Sequence, residues 1–119
     1  MTTTTQFDVD ALRDAIESAD AEGQLRHYAE DAEVTLVDRD NPPSKPIKLR
    51  GHDEIRTWLE DIAGRDMTHS VGFAVADQRT GGYSLNCRYP SGQRVSCAAL
   101  FELDGGRIAR LEGVQGWDD

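Results

Sequence analysis

A histidine at position 69 opens a stretch of sequence in which apolar residues alternate with small ones. Val71, Phe73 and Val75 follow it at every second position, which is the period of a strand with one buried face. This shared parity predicts that the imidazole of His69 points inward. Because imidazole has a pKa of about 6.5, it can take up and return a proton near neutral pH. His69 is therefore predicted to be a general acid/base, and the alternative is a core or rim histidine bonded to a neighbouring polar group.

The other histidines and the two cysteines form no metal-site motif. His27 and His52 are isolated, and the sequence has no H-x-H, H-x-x-x-H or C-x-x-C spacing. Cys87 and Cys97 lie in neighbouring candidate strands and are predicted to be free thiols that pack as small apolar residues, with no basic neighbour to activate either one. No glycine-rich loop links a strand to a helix, so no nucleotide site is expected. We therefore expect neither a metal nor a cofactor.

The elements that must position His69 begin with three predicted helices. Asp8 and Asp20 are residues typical of helix N-caps, so one helix is expected after each. The second of these is expected to extend far enough to turn Tyr28 inward. A third helix is predicted over residues 53–62, because its apolar residues recur at i, i+3, i+4 and i+7. These residues are Ile55, Trp58, Leu59 and Ile62.

The remaining segments predict strands. Residues 33–37 and 47–50 flank a proline-rich loop, and from residue 66 onward the period is two, with a turn expected at Gly81-Gly82. Residues 95–103 are apolar with little interruption, which predicts a central strand covered on both faces. In the last strand the apolar parity changes after Ile108, which predicts a bulge. Helices followed by antiparallel strands indicate the α+β class.

Length, composition and charge limit the possible functions. A length of 119 residues predicts a single domain, which is expected over residues 7–119. The polar residues 1–6 are expected to form a disordered tail. The net charge of −9 argues against nucleic acid and anionic membrane surfaces as partners, because both attract clustered Lys and Arg. The first residues lack the basic start and apolar core of a signal peptide, so we expect a cytoplasmic protein.

Several short sequence words resemble those of a known fold family. They are Y-A-E-D-A-E-V at residues 28–34, R-G-H-D-E-I at 50–55, T-H-S-V at 68–71 and D-G-G-R-I at 104–108. Together with the order of elements, they resemble the NTF2-like superfamily, and within it the SnoaL-like domain (the polyketide cyclase/ketosteroid isomerase-like fold). The resemblance implies an NTF2-like/cystatin-like cone, in which N-terminal helices pack in a curved antiparallel, partly mixed sheet around a blind apolar pocket.

The resemblance also implies which residues line that pocket and what covers the sheet. A small apolar ligand is expected inside the cone, and a second copy of the chain on its sheet. The residues expected to line the pocket are Ile16, Tyr28, Leu36, Trp58, Phe73, Cys97, Ala99 and Trp117.

Family chemistries can be tested position by position. Leu12, Leu36 and Ala99 fall where a ketosteroid isomerase carries its polar catalytic groups, so that chemistry is rejected. A scytalone dehydratase-like site matches better, because His69 falls at its histidine and Glu17 near its acid. The tyrosines of that site are replaced here by apolar residues.

Two hypotheses remain open. One is an isomerase, cyclase or lyase that uses His69 with Glu17, and it expects a cavity of roughly several hundred Å3 with His69 bonded to a carboxylate. The other is a binding or dimerisation domain without chemistry, its cavity filled by Trp58, Phe73 and Phe101. The D-R-D sequence at residues 38–40 matches the acid set of epoxide hydrolases of this fold only by coincidence, because it lies in a predicted loop.

Overall fold

One sheet and three helices make up the part of the chain that the computed structural model describes, residues 7–118. The six strands lie in the order β2-β1-β6-β5-β4-β3. The β1–β6 pair is parallel and the other neighbours are antiparallel. The predicted tail at residues 1–6 lies outside the described residues. The elements are α1 (Val9–Glu17), α2 (Ala21–Leu25), β1 (Tyr28–Val37), β2 (Ile47–Arg50), α3 (Gly51–Ala63), β3 (Thr68–Ala76), β4 (Thr80–Arg88), β5 (Arg94–Asp104) and β6 (Arg107–Trp117).

Side-chain caps begin the first two helices, as predicted. The carboxylate of Asp8 accepts a hydrogen bond of 3.0 Å from the amide of Ala11, and the carboxylate of Asp20 accepts one of 2.9 Å from Gly23. Each bond satisfies an amide that the helix itself leaves unpaired. The prediction that the second helix extends to Tyr28 is wrong, because β1 begins at Tyr28, where the chain pairs with β6.

The third helix is confirmed and starts two residues earlier than predicted. Its first residue, Gly51, has a φ of +84°, a backbone conformation that glycine adopts without steric cost. The amide of Arg50 donates a hydrogen bond of 2.8 Å to the carboxylate of Glu54. This bond ties the end of β2 to the first turn of α3, and Ile55 and Leu59 are then buried against the rest of the core.

A bulge in β3 reverses the predicted facing of two side chains. Between Val71 and Ala74 the strand advances by three residues while β4 advances by two. The amide of Phe73 donates instead to the hydroxyl of Ser84 at 2.9 Å. Phe73, within the bulge, and Val75, beyond it, are 79% and 66% exposed. The prediction that they face inward with His69 is therefore wrong, because the extra residue shifts the alternation by one.

The predicted bulge in β6 is confirmed. Arg110 pairs with Glu102, but the next pair in the ladder joins Ile108 to Leu103, so one residue of β6 is left over. The central position of β5 is also confirmed. Its outer face is not covered within one chain, however, since Leu100 is 70% exposed.

The helices pack on the inner face of the sheet, with α1 against β3 and α3 against β1. The most completely buried large side chains are Ile55, Ile108, Leu111 and Val34. They join α3 to the middle of the sheet within a larger buried core, and burial of apolar surface is the dominant favourable contribution to folding. None of the helices among residues 7–118 is long and apolar enough to cross a bilayer.

Candidate functional site

A cavity of about 70 Å3 lies between α3 and the inner faces of β1, β4, β5 and β6. A second space of about 40 Å3 lies beside it, under α1 and α3. The two share Trp58, Ile62, Tyr83 and Leu85 in their walls. Both are much smaller than the pocket expected for an enzyme of this fold. The larger cavity is lined by Leu36, Trp58, Ile62, Arg65, Met67, Tyr83, Leu85, Cys87, Tyr89, Val95, Cys97, Ala98, Ala99, Leu111, Gly113, Val114, Gln115 and Trp117.

The wall between these spaces holds a histidine–cysteine pair. His69 of β3 and Cys87 of β4 lie directly opposite each other in the ladder, and the imidazole Nδ1 is 3.2 Å from the thiol Sγ. His69 lines the smaller space and Cys87 the larger one. The prediction that neither cysteine has a basic neighbour is therefore wrong.

The pair was not predicted from the sequence because the Gly81-Gly82 dipeptide indicated a hairpin turn later in the chain than the turn that forms. The turn runs from Asp77 to Thr80, where the amide of Asp77 donates to the carbonyl of Thr80 at 2.9 Å. The carboxylate of Asp77 accepts from the amides of Arg79 and Thr80, each at 2.8 Å. Counting back from this turn, with the bulge included, brings residue 69 opposite residue 87. The D-x-x-T sequence was the signal that could have revealed it.

A second thiol completes the cluster. Cys97 of β5 is a diagonal neighbour of Cys87 on the inner face, because Leu85 pairs with Cys97 and Cys87 pairs with Val95. Both cysteines are free thiols. The neighbouring thiol of Cys97, together with the imidazole of His69, lowers the pKa of Cys87 against the opposing effect of burial. The neighbouring Cys87 side chain, together with burial, raises the pKa of Cys97. Cys87 therefore loses its proton first.

Glu17, the predicted catalytic acid, is directed to the sheet edge and not to His69. Its carboxylate accepts a hydrogen bond of 3.0 Å from the amide of Val71, while Arg13 donates one of 3.1 Å to the carbonyl of the same residue. The carboxylate remains partly exposed. Because β3 is an edge strand, these two bonds satisfy groups that the ladder leaves unpaired and fasten α1 to the sheet.

This arrangement predicts how Glu17 variants behave. Glu17→Ala is expected to lower the free energy of unfolding by about 1 kcal/mol, because it leaves the Val71 amide without its acceptor. Glu17→Gln keeps an acceptor oxygen and loses only a partly exposed ion pair, so it is expected to cost less than about 0.5 kcal/mol. Urea denaturation of both variants measures the difference. Equal losses in the two would show that the amide bond contributes nothing.

The open end of the larger cavity is framed by aromatic and cationic side chains. Trp117 stacks on Tyr89 with ring centroids 6.2 Å apart, and the guanidinium of Arg39 lies 4.3 Å from the Trp117 ring centre. Arg65 donates a hydrogen bond of 3.4 Å to the Tyr89 hydroxyl. The D-R-D sequence thus supplies Arg39 to this rim. Its Asp38 caps a turn through the amide of Asn41 at 2.8 Å.

The predicted pocket residues separate into three groups. Leu36, Trp58, Cys97, Ala99 and Trp117 lie on the wall of the larger cavity. Ile16 and, again, Trp58 lie on the wall of the smaller one, together with the predicted catalytic residue His69. The other two lie elsewhere.

Tyr28 and Phe73 do not lie on either wall. Tyr28 is 2% exposed and belongs to the hydrophobic core, where burial raises the pKa of its hydroxyl well above the usual value. Phe73 is on the opposite side of the sheet because of the β3 bulge. Within residues 7–118, no cluster of three or more His, Cys, Asp or Glu side chains is arranged to hold a metal.

One known domain family matches most of the chain. The sequence profile described as the SnoaL-like domain matches residues 9–111. The chain belongs to the SnoaL-like domain family. No curated protein sequence matches it. The predicted family membership is confirmed.

Solved structures resemble this SnoaL-like domain at low sequence identity. An NTF2-like protein of unknown function from Mesorhizobium loti has a TM-score of 0.76 at 14% identity, over 88% of this chain and 84% of that one. The epoxide hydrolase/cyclase-like enzyme SalBIII, which takes part in pyran ring formation in salinomycin, has a TM-score of 0.67 at 19% identity, over 91% and 87%. A Kribbella flavida protein provisionally assigned as a ketosteroid isomerase has a TM-score of 0.73 at 17% identity, over 92% and 74%. These likenesses confirm the predicted α+β cone, and at such identities they establish the fold alone.

Proposed function

We propose that this SnoaL-like domain binds a small, mostly apolar molecule in the cone cavity and that His69 transfers a proton to or from it. The observation that carries the proposal is the position of the His69–Cys87 pair in the wall between two adjoining spaces. Trp58 and Tyr83 line both spaces, so a ligand that rests on these rings lies within reach of the pair.

The composition of the wall supports an apolar ligand. Aliphatic and aromatic side chains from α3 and four strands make up most of the larger cavity, and such walls favour uncharged molecules with one polar end. Burial raises the pKa of Tyr83, so its hydroxyl stays protonated and can donate a hydrogen bond to a ligand oxygen. Isomerisation, cyclisation and lyase reactions each move a proton, which a positioned imidazole can do.

Butan-2-one is a suitable probe, because its five heavy atoms suit a cavity of about 70 Å3. If each heavy atom contributes about 0.8 kcal/mol, the binding free energy is about −4 kcal/mol, which corresponds to a dissociation constant of about 1 mM. In a titration followed by 15N NMR, the resonances of the Trp58 indole and of the Cys87 and Cys97 amides should shift. No saturable shift at these positions would overturn the proposal.

A matched pair of variants tests where the probe binds. Ala99 lines the cavity, so Ala99→Val should fill part of it and weaken butan-2-one binding at least tenfold. Ala76 is exposed near the end of β3, and Ala76→Val should leave binding unchanged. Equal binding to both variants would place the probe outside the cavity.

We further propose that a second copy of the chain covers the outer face of the sheet. Four large apolar side chains are exposed there and form what we name the outer patch. The patch consists of Phe73, Val75, Leu100 and Val114, which are 79%, 66%, 70% and 57% exposed.

Small residues leave an open groove of about 580 Å3 beside Val75 and Leu100 of the outer patch. Gly82 lies between Val75 and Leu100 in one row across the sheet, and Ala98 pairs with Val114 in the next row. Small residues at these positions let the side chains of a second sheet approach the backbone closely. Exposed apolar patches of this kind commonly mark protein interfaces.

The charges beside the patch alternate in sign. Arg110 pairs with Glu102 at 3.4 Å and with Glu112 at 2.7 Å, and Arg50 lies 3.8 Å from Glu33 at the same level of the sheet. Although the whole chain carries a net charge of −9, this row is close to neutral. Two copies can therefore meet on this face with little repulsion, as a self-complementary dimer requires.

A further inference from the structure

Cys87 is held between polar groups from two neighbouring strands. The imidazole Nδ1 of His69 is 3.2 Å from its Sγ on one side, and Cys97 is its diagonal neighbour on β5 on the other. Cys87 and Cys97 both line the larger cavity. A thiol with a base and a donor beside it, in the wall of a cavity, has the arrangement of an activated nucleophile.

We propose that Cys87 adds covalently to small α,β-unsaturated carbonyl compounds bound in the cavity, with His69 as its base and Cys97 as the donor that stabilises its thiolate. The inference rests on the proposed function, because the electrophile must first occupy the same cavity. It goes further by naming the attacking atom and the chemical class of the ligand.

The proposed step balances without any co-reactant. The proton of the Cys87 thiol passes to Nδ1 of His69, and the thiolate sulfur forms a bond to the β-carbon of the ligand. The π pair of the carbon–carbon double bond moves to give an enolate on the carbonyl oxygen. The imidazolium of His69 then returns the proton to the α-carbon. The net change is addition of S–H across the double bond, with His69 regenerated.

The cavity selects the size and polarity of the electrophile. A space of about 70 Å3 is about half the 150 Å3 of an engineered apolar cavity that takes up benzene. A short-chain enone or enal therefore fits, whereas a large or charged electrophile does not. Its carbonyl oxygen can accept a hydrogen bond from the protonated Tyr83 hydroxyl, which lies on the same wall.

We expect Cys87 to be the more reactive thiol although it is the less exposed one. Cys87 is 4% exposed and Cys97 is the more exposed of the two, so accessibility alone favours modification of Cys97. The imidazole of His69 and the thiol of Cys97 beside Cys87 lower its pKa and so favour its thiolate, while the raised pKa of Cys97 keeps that thiol protonated. The titratable groups that face Cys87 or line its cavity are His69 on β3, Cys97 on β5, Tyr83 on β4, Tyr89 just after β4, and Arg65 just after α3.

But-3-en-2-one, the unsaturated counterpart of butan-2-one, is the reactive probe. After brief exposure of the folded chain at pH 7, intact mass and peptide mapping should show one adduct per chain, at Cys87. We expect Cys87 to react at least tenfold faster than Cys97. The Cys87 rate should rise with pH to a midpoint below the ordinary thiol value of about 8.5. Equal rates for the two thiols, or a midpoint at or above 8.5, would overturn the proposal.

Two variants separate activation from simple accessibility. His69→Gln keeps a polar side chain but removes the base, so the Cys87 rate at pH 7 should fall at least tenfold and its pH midpoint should rise. Cys97→Ala removes the donor and keeps the base, so it should slow the reaction of Cys87 only about threefold. Circular dichroism verifies that both variants fold. If the Cys87 rate is unchanged in both folded variants, the pair is a structural contact and the proposal fails.

The saturated and unsaturated probes keep the two proposals distinct. If butan-2-one binds in the cavity and but-3-en-2-one does not modify Cys87, the nucleophile assignment fails and the binding function stands. If butan-2-one does not bind and Cys87 is not modified, both fail.

Discussion

Phe101→Ala is expected to lower the free energy of unfolding by about 3–5 kcal/mol, the range for removing a buried phenylalanine. Phe101 is 3% exposed and its ring contacts Phe7 and Tyr83, with centroids 5.1 and 6.4 Å apart. A methyl group added to Gly81 would collide with the same ring. The substitution therefore leaves a cavity at the centre of a closely packed cluster that the surrounding residues cannot refill. Urea denaturation at constant m-value measures the loss.

The matched control is Phe73→Ala, the same substitution at a side chain that is 79% exposed. In a single chain it should change the free energy of unfolding by less than about 0.5 kcal/mol. Both substitutions are best compared in a Leu100→Asp background, because self-association on the outer patch would otherwise add to the apparent stability. Similar losses at the two positions would mean that Phe73 packs inward and that the β3 bulge is wrong.

Leu100→Asp is expected to weaken self-association at least 100-fold. Leu100 lies near the middle of the outer patch, and in a two-fold interface each substitution acts twice. Burying an unpaired carboxylate costs several kcal/mol, and about 2.7 kcal/mol already corresponds to 100-fold in the dissociation constant. Sedimentation velocity at micromolar concentration should show a dimer for the unmodified chain and a monomer for the variant.

Thr57→Asp provides the control for the added charge. Thr57 is exposed on α3, in the helical layer on the other side of the sheet, and its substitution should leave the dimer intact. The proposed interface would be contradicted if the unmodified chain sediments as a monomer or if the Leu100→Asp variant remains dimeric. The unfolding free energy of the monomeric variant should match that of a dissociated unmodified chain, since residue 100 makes no core contact from the outer face.

Local sequence signals predicted several elements because the forces that form them are local. The caps at Asp8 and Asp20 act over three residues, and the amphipathic pattern of α3 needs only its own turns. The parity change in β6 identified its bulge, because the buried residues on both sides are large and apolar. The family words also indicated the cone, and two of them, at residues 50–55 and 104–108, span junctions between consecutive elements.

The glycine pair shows why the hairpin register could not be predicted in the same way. Gly81-Gly82 has the composition of a turn, yet both residues lie within β4. A Cβ on Gly81 would meet the Phe101 ring, and one on Gly82 would lie 2.9 Å from the carbonyl oxygen of Ala99. These glycines are required by close packing against β5, a contact between segments about 20 residues apart.

The sequence by itself determined the fold class, the order of helices and strands, and the inward position of His69 on its strand. Only the tertiary structure decided which groups meet that imidazole. The β3 bulge and the Asp77–Thr80 turn bring Cys87 opposite His69, while Glu17 is engaged by the backbone of Val71. The physical reason is that strand register depends on single inserted residues and on packing across the sheet, and neither leaves a periodic pattern in the sequence.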